Sequence, residues 1–258
     1  MSSITLRPAT LADSAAISNI HYEALNRYHV FYAAFFQKHP RDIIRIADSG
    51  AIQDPGRTVV VAEDEEGGGE IVGFIIYQIA NSNSNKSEED TRDGPVLSIS
   101  EPKEHLRELW NRFNERNVEM NKVKEEAIKG QKHYGMFPSI KLVSNPSLTC
   151  ILEVLQVMVH PSHQRSGVGN RLLSSALAKA DSDSAPTLVT SSAEGHGLYL
   201  KHKFRSLGNN KTWPVDNAWW AGEVAKLDDK LGPDFVAACS DLYEEEDCMI
   251  RQPSFRSC

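Results

Sequence analysis

The sequence is poor in the features that would place it in several common classes. It has four cysteines in 258 residues (Cys150, Cys239, Cys248 and Cys258), too few and too scattered for a disulfide framework or a zinc site. A reducing compartment is the simpler reading, and a cytoplasmic location and no metal are expected. Nowhere do eighteen apolar residues run together, so no membrane span is expected. Met1 to Ile20 carries polar and charged residues throughout, which argues against a signal peptide. Basic residues are in deficit: the net charge of −7 disfavours nucleic acid as the main partner and suits a cationic, amine-bearing one. There is no internal repeat and no second independent core, so residues 1–258 read as one domain. The 40% hydrophobic and 24% charged shares suit a globular chain. They leave the oligomeric state open.

What is present is concentrated at Leu155-Gln-Val-Met-Val-His-Pro-Ser-His-Gln-Arg-Ser-Gly-Val-Gly-Asn-Arg-Leu-Leu173. A β-rich run passes a proline, enters a glycine-bearing loop and becomes an amphipathic helix. Val168, Leu172, Leu173, Ala176, Leu177 and Ala180 recur at helical spacing. The first amides of a helix have no partner within it, and the macrodipole adds positive charge there. With little side-chain bulk in the loop, an anion can rest on those amides. The same glycines would also serve a tight strand-to-helix turn that binds nothing. No lysine follows Gly169, as a P-loop requires. Leu172 stands where a dinucleotide fingerprint has its third glycine.

The remaining pattern, Gln-x-x-Gly-x-Gly after a strand ending Val-x-Pro, resembles the coenzyme A pyrophosphate loop of the GNAT superfamily of N-acyltransferases. The resemblance implies an α/β (α+β) fold with a mixed central sheet flanked by helices. It also implies acetyl-CoA as co-substrate, held by Gln164, Arg165, Ser166, Gly167, Val168, Gly169 and Asn170. In that family the fourth strand diverges from the fifth near the Val-x-Pro, and the acyl-pantetheine arm pairs with it. Val157, Met158 and Val159 occupy that place, and their amides would polarise the thioester carbonyl.

Elsewhere the order of elements agrees. Ile4 to Ala9 reads as a strand stopped by proline, and Thr10 or Asp13 can cap a helix carrying Ile17, Ile20 and Ala24. Thr58–Ala62 and Ile71–Tyr77 read as strands joined by a glycine-rich hairpin. Residues 81–95 read as a polar loop. Leu106, Leu109, Trp110, Phe113, Met120 and Val123 mark a helix from about 104 to 129, inserted between strands 3 and 4. Similar inserted helices occur in fungal-type GNAT proteins. The insertions span about 81–147 and 208–246, the second holding Trp213, Trp219 and Trp220. Thr149 to Val159 is the central strand, Thr187–Thr190 a following one, Ala193–Lys203 a helix. Phe204–Leu207 would be a further strand, pairing with 247–252.

For chemistry, the alternation of the central strand puts Ile151, Glu153, Leu155, Val157 and Val159 on one face. Glu153 is thus a carboxylate on an aliphatic face, suited to accept a proton, or else a glutamate that reaches water or pairs with a cation. Carboxylate bases on this strand in GNAT enzymes lie eleven residues before the loop glutamine, as Glu153 does before Gln164. Leu198-Tyr199-x-x-x-x-Phe204 is similar to the family segment whose tyrosine protonates the departing thiolate, although packing alone would also explain Tyr199. Lys203 stands where the family usually has glycine. Ser192 replaces an asparagine that contacts coenzyme A. His196, one turn from Tyr199, is a second-ranked base or a solvated side chain. The aromatic stretch Tyr28–Phe36 is core packing or, by the resemblance, a wall of the acceptor pocket, with Tyr28, Phe31 and Tyr32 as lining. No Ser-His-Asp or Cys-His arrangement is readable, which favours direct transfer over an acyl-enzyme. The leading expectation is N-acetylation of a small-molecule primary amine. The alternatives are a protein lysine or N-terminal acetyltransferase and a non-catalytic coenzyme A-binding protein.

Overall fold

The computed structural model describes residues 3–80, 100–129 and 151–254. The helices are α1 (Ser14–Ala24), α2 (His29–Phe35), α3 (Pro40–Gln53), α4 (Arg107–Lys129), α5 (Val168–Ser182), α6 (Ala193–Lys201), α7 (Asn217–Leu227) and α8 (Pro233–Ala238). The strands are β1 (Ile4–Pro8), β2 (Arg57–Asp64), β3 (Glu70–Ala80), β4 (Ile151–Val159), β5 (Thr187–Ser192), β6 (Arg205–Ser206), β7 (Thr212–Asp216) and β8 (Tyr243–Arg251). Among the described residues they form one sheet in the order β1-β2-β3-β4-β5-β8-β6, with β7 also paired to β8. Pairing is antiparallel except between β4 and β5. The mixed sheet flanked by helices is the architecture expected from sequence. β7 was not anticipated, and Thr149, Cys150 and residues 81–95 lie outside the described residues.

The sheet sits between two helical layers. On one face, Leu172, Leu173, Ala176 and Leu177 of α5 pack with Val72, Ile75, Leu152 and Val154, all buried. Gly73 permits that approach, because a Cβ there would meet Met158 O and Val168 Cγ1 at 3.0 Å. On the other face, Ile17, Ile20 and Ala51 from α1 and α3 cover Val61, Phe74 and Ile76. The inserted helix α4 lies on this second face. Arg116 pairs with Glu246 of β8 at 2.8 Å, Met120 is buried beside Cys248 and Ile250, and Lys124 pairs with Glu153 of β4 at 3.3 Å. These three side chains recur every four residues, so one stripe of α4 meets the sheet. Its N-terminal half joins an aromatic layer in which Phe113 contacts Phe31 (5.7 Å), Trp110 (5.3 Å) and Trp220 (5.3 Å).

Candidate active site

Parallel pairing of β4 with β5 ends at Val154↔Val189, although β4 continues to Val159 and β5 to Ser192. The cause is a bulge. Ile76 of β3 faces Gln156 and Tyr77 faces Val154, which leaves Leu155 as the extra residue. Before the bulge, Leu152 N–H donates across to Pro186 O at 3.0 Å; after it, His160 N–H donates to Val72 O on the opposite side at 2.9 Å. By alternation, the amides of Val157 and Val159 point into the gap left by β5. Met158 turns its amide back to β3, a correction to the expectation that all three amides face the ligand.

The bulge also overturns the one-face reading of the strand. Val157 and Val159 pack with the α5 layer, as Leu152 and Val154 do, while Leu155 and Met158 pack with the α1 layer. Glu153 therefore does not share a face with Val157 and Val159. Its Oε2 accepts from Gln78 Nε2 at 3.0 Å and its Oε1 faces Lys124 Nζ at 3.3 Å. The carboxylate is not isolated on an aliphatic face; a buried ammonium stands against it.

At the end of β4 the chain turns through Pro161–His163 into the loop. Gln164 Nε2 donates to Val159 O at 3.2 Å, tying the loop to the strand. Arg165 (φ 62°) and Gly167 (φ 93°) both adopt left-handed backbone, which turns successive amides to one side. Gly167 is the residue before α5, and Arg171 N–H is the first to reach its carbonyl, at 3.1 Å. The amides of Arg165 to Asn170 donate to no acceptor among the described residues. Open donors at the start of a fifteen-residue helix fit a pyrophosphate. A Cβ on Gly169 would lie 3.6 Å from Val159 Cγ2 and 3.7 Å from Leu198 Cδ2. That places it between β4 and α6, so bulk at 169 fills the cleft between them.

Tyr199, on the inner side of α6, is buried, its ring edge-on to Phe204 at 5.3 Å. Burial pushes its hydroxyl up to about 12, so it stays protonated at neutral pH. Lys203 takes a left-handed φ of 64°, and the amides of Lys203 and Phe204 close the helix on Leu200 O (3.0 Å) and Tyr199 O (3.1 Å). A glycine suits that conformation better, yet the turn forms with lysine. Ser192 caps α6 by accepting from Gly195 N–H at 3.4 Å. His196 is not merely solvated: its Nε2 lies 2.9 Å from Asp247 Oδ2, which Ser206 also engages.

Of the aromatic stretch, Phe31 has no exposed surface and packs in the core against Phe35 and Phe113, so its ring does not reach a pocket surface, a correction to its expected lining role. Tyr28 donates to Glu194 Oε1 at 3.5 Å and Tyr32 to Glu244 Oε1 at 3.3 Å. Both glutamates escaped the sequence reading, although four consecutive acids from Glu244 to Asp247 were a visible signal. Also missed was a buried pair, His21 Nδ1 to Asp48 Oδ1 at 3.0 Å, linking α1 to α3 without any local signature. Among the described residues no cluster of metal-ligating side chains occurs, and no helix is long and apolar enough to cross a membrane.

Residues 128–206 match the family model described as an acetyltransferase (GNAT) domain. No curated protein matches the sequence. Among solved structures, the chain is similar to a mosquito arylalkylamine N-acetyltransferase-like 5b, with 14% identity over 97% of this chain and 100% of that one and a TM-score of 0.55. It is similar to a histone acetyltransferase HPA2 and related acetyltransferase from Corynebacterium glutamicum, with 19% identity over 100% of both chains and a TM-score of 0.53. A third is Arabidopsis thaliana NAA60 in complex with a bisubstrate analogue, with 9% identity over 98% of this chain and 99% of that one and a TM-score of 0.51. The fold is that of GNAT acetyltransferase structures.

Proposed function

We propose that this protein is an acetyl-CoA-dependent N-acetyltransferase that transfers the acetyl group to a primary amine of a small molecule, by direct attack in a ternary complex. One observation carries the reading. β4 and β5 part directly beside a helix N-terminus whose amides are open, giving a slot for an extended acyl-pantetheine arm and an anion seat at its end. The match to an acetyltransferase family over this same region supports it.

In this scheme Glu153, directly or through a water, takes the proton that the ammonium must lose. The freed amine attacks the thioester carbonyl, and the amides of Val157 and Val159 receive the charge that builds on its oxygen. The carbon–sulfur bond breaks as Tyr199 gives its proton to the thiolate, and the second proton shed by the attacking nitrogen restores the tyrosine through solvent; the products are an amide, free coenzyme A and the proton first taken by Glu153. An acceptor pocket walled by the aromatic layer of α2, α4 and α7 would favour a small amine over a protein chain. Incubation with acetyl-CoA and a panel of amines and peptides, with products identified by mass spectrometry, tests the reading. Acetylation of peptides alone would make this a protein acetyltransferase. Tight acetyl-CoA binding with no product would make it a binding protein.

A further inference from the structure

The Glu153 carboxylate is held at both of its oxygens, by groups from two different elements. Gln78 stands directly across from it on β3 and donates to Oε2 at 3.0 Å. Lys124 reaches it from the inserted helix α4, with Nζ 3.3 Å from Oε1. Among the described residues neither Glu153 nor Lys124 has another ion-pair partner. Glu246 of β8 is taken by Arg116 at 2.8 Å, and the Cys248 thiol, pushed up to about 11 by burial, stays protonated. The neighbouring Met120, Ile151, Leu188 and Ile250 form an apolar cluster.

An ion pair is a poor way to stabilise such a place, since apolar side chains of similar volume serve as well or better. What the pair gives is orientation: one donor in the sheet and one from the layer above it fix the plane of the carboxylate. Each oxygen keeps a second lone pair, so the held group can still accept a proton. The 16% of the Glu153 side chain that stays exposed is the part a water or an amine can reach. We propose that Lys124 and Gln78 are positioning residues that clamp the Glu153 carboxylate for proton removal from the acceptor, which makes the inserted helix part of the catalytic apparatus. Lys124 precedes residues 128–206, the region matched by the family model, so α4 adds this device from outside that region. The inference rests on the acetyl-transfer reading with Glu153 as base.

The test uses the full chain, acetyl-CoA and primary amines of similar size and graded basicity at one neutral pH. For each protein kcat, KM and coenzyme A affinity are read well below its Tm. A strongly basic amine arrives as an ammonium and needs the base, whereas a weakly basic one arrives neutral and needs it least. Glu153→Gln should therefore lower kcat more for the strong bases than for the weak ones. Lys124→Met removes the ammonium, and Gln78→Leu, which strands no charge, carries the test should Lys124→Met fail to fold. Each should lower the ratio of strong-base to weak-base kcat at least about 10-fold with coenzyme A affinity kept, since a displacement of about 1 Å can cost about 10²-fold. A merely structural pair would slow both ends of the series alike, and that result overturns the clamp. A ratio that falls in Glu153→Gln but in neither clamp variant also overturns it and leaves Glu153 standing as the base. An unchanged ratio in Glu153→Gln overturns the base and the clamp together. Wild-type protein that acetylates no amine overturns the acetyl-transfer reading and this inference with it.

Discussion

Replacing Glu153 by glutamine perturbs two things that the structure allows to be separated. The carboxylate faces Lys124 Nζ at 3.3 Å, with 16% and 9% of the two side chains exposed. At an effective dielectric constant of about 20, unit charges at that distance attract by roughly 5 kcal/mol. Desolvation of both groups offsets part of this, yet removing one partner leaves a buried ammonium without a counter-ion, which typically costs about 3–5 kcal/mol. The amide also offers one acceptor to two donors, Lys124 and Gln78. With the residual exposure, Glu153→Gln should lose about 2–4 kcal/mol, a fall in Tm of roughly 5–15 °C for a chain of this size. If Glu153 is also the base, turnover of a productive amine should fall about 10²–10⁴-fold, well below the Tm, with coenzyme A affinity retained. Adding Lys124→Met removes the stranded charge. The double variant should recover much of the stability and none of the rate, read by calorimetry and steady-state kinetics side by side. Rate returning with stability would reduce Glu153 to a structural role. A single variant with unchanged Tm and unchanged turnover would refute the whole argument.

Three further outcomes are expected. Gly169→Asp puts a charged side chain between Val159 and Leu198 and a negative charge beside the open amides; acetyl-CoA affinity by calorimetry should drop at least about 10-fold in a protein that still folds, and unchanged affinity would remove the loop from the site. Tyr199→Phe keeps the packing against Phe204 and should lower turnover about 10-fold with coenzyme affinity intact, whereas full activity would mean that water supplies the proton. Asp13 is held well below the usual aspartate range chiefly by its hydrogen bond from Arg7, so its contribution is present above the unfolded value and lost as pH falls toward the lower folded one. Asp13→Asn should cost about 1–3 kcal/mol at neutral pH and flatten the acid limb of stability below about pH 4, and a variant with the wild-type acid limb would contradict the assignment.

Much of the frame follows from the sequence alone, because it depends on short-range order. Helical spacing from Val168 to Ala180, the glycines at 167 and 169, the hairpin between β2 and β3 and the amphipathic stripe of α4 are each written within some twenty residues, where chain geometry makes side chains neighbours. The strand pairing of Arg205 and Ser206 with Ile250 and Met249 also agreed, since few partners were available. The parity of β4 was decided only by tertiary structure. One extra residue at Leu155 turns Val157 and Val159 across the sheet and points their amides into the gap, and no local pattern in a run of apolar residues announces it. Charge pairing was equally hidden: Glu153 meets Lys124 from an inserted helix, His196 meets Asp247 fifty-one residues away, and Tyr32 meets Glu244 two hundred and twelve residues away. Periodicity sets which face a side chain takes within its own element. Which charge it finds there depends on how distant elements pack, and that is settled by the burial of the whole core.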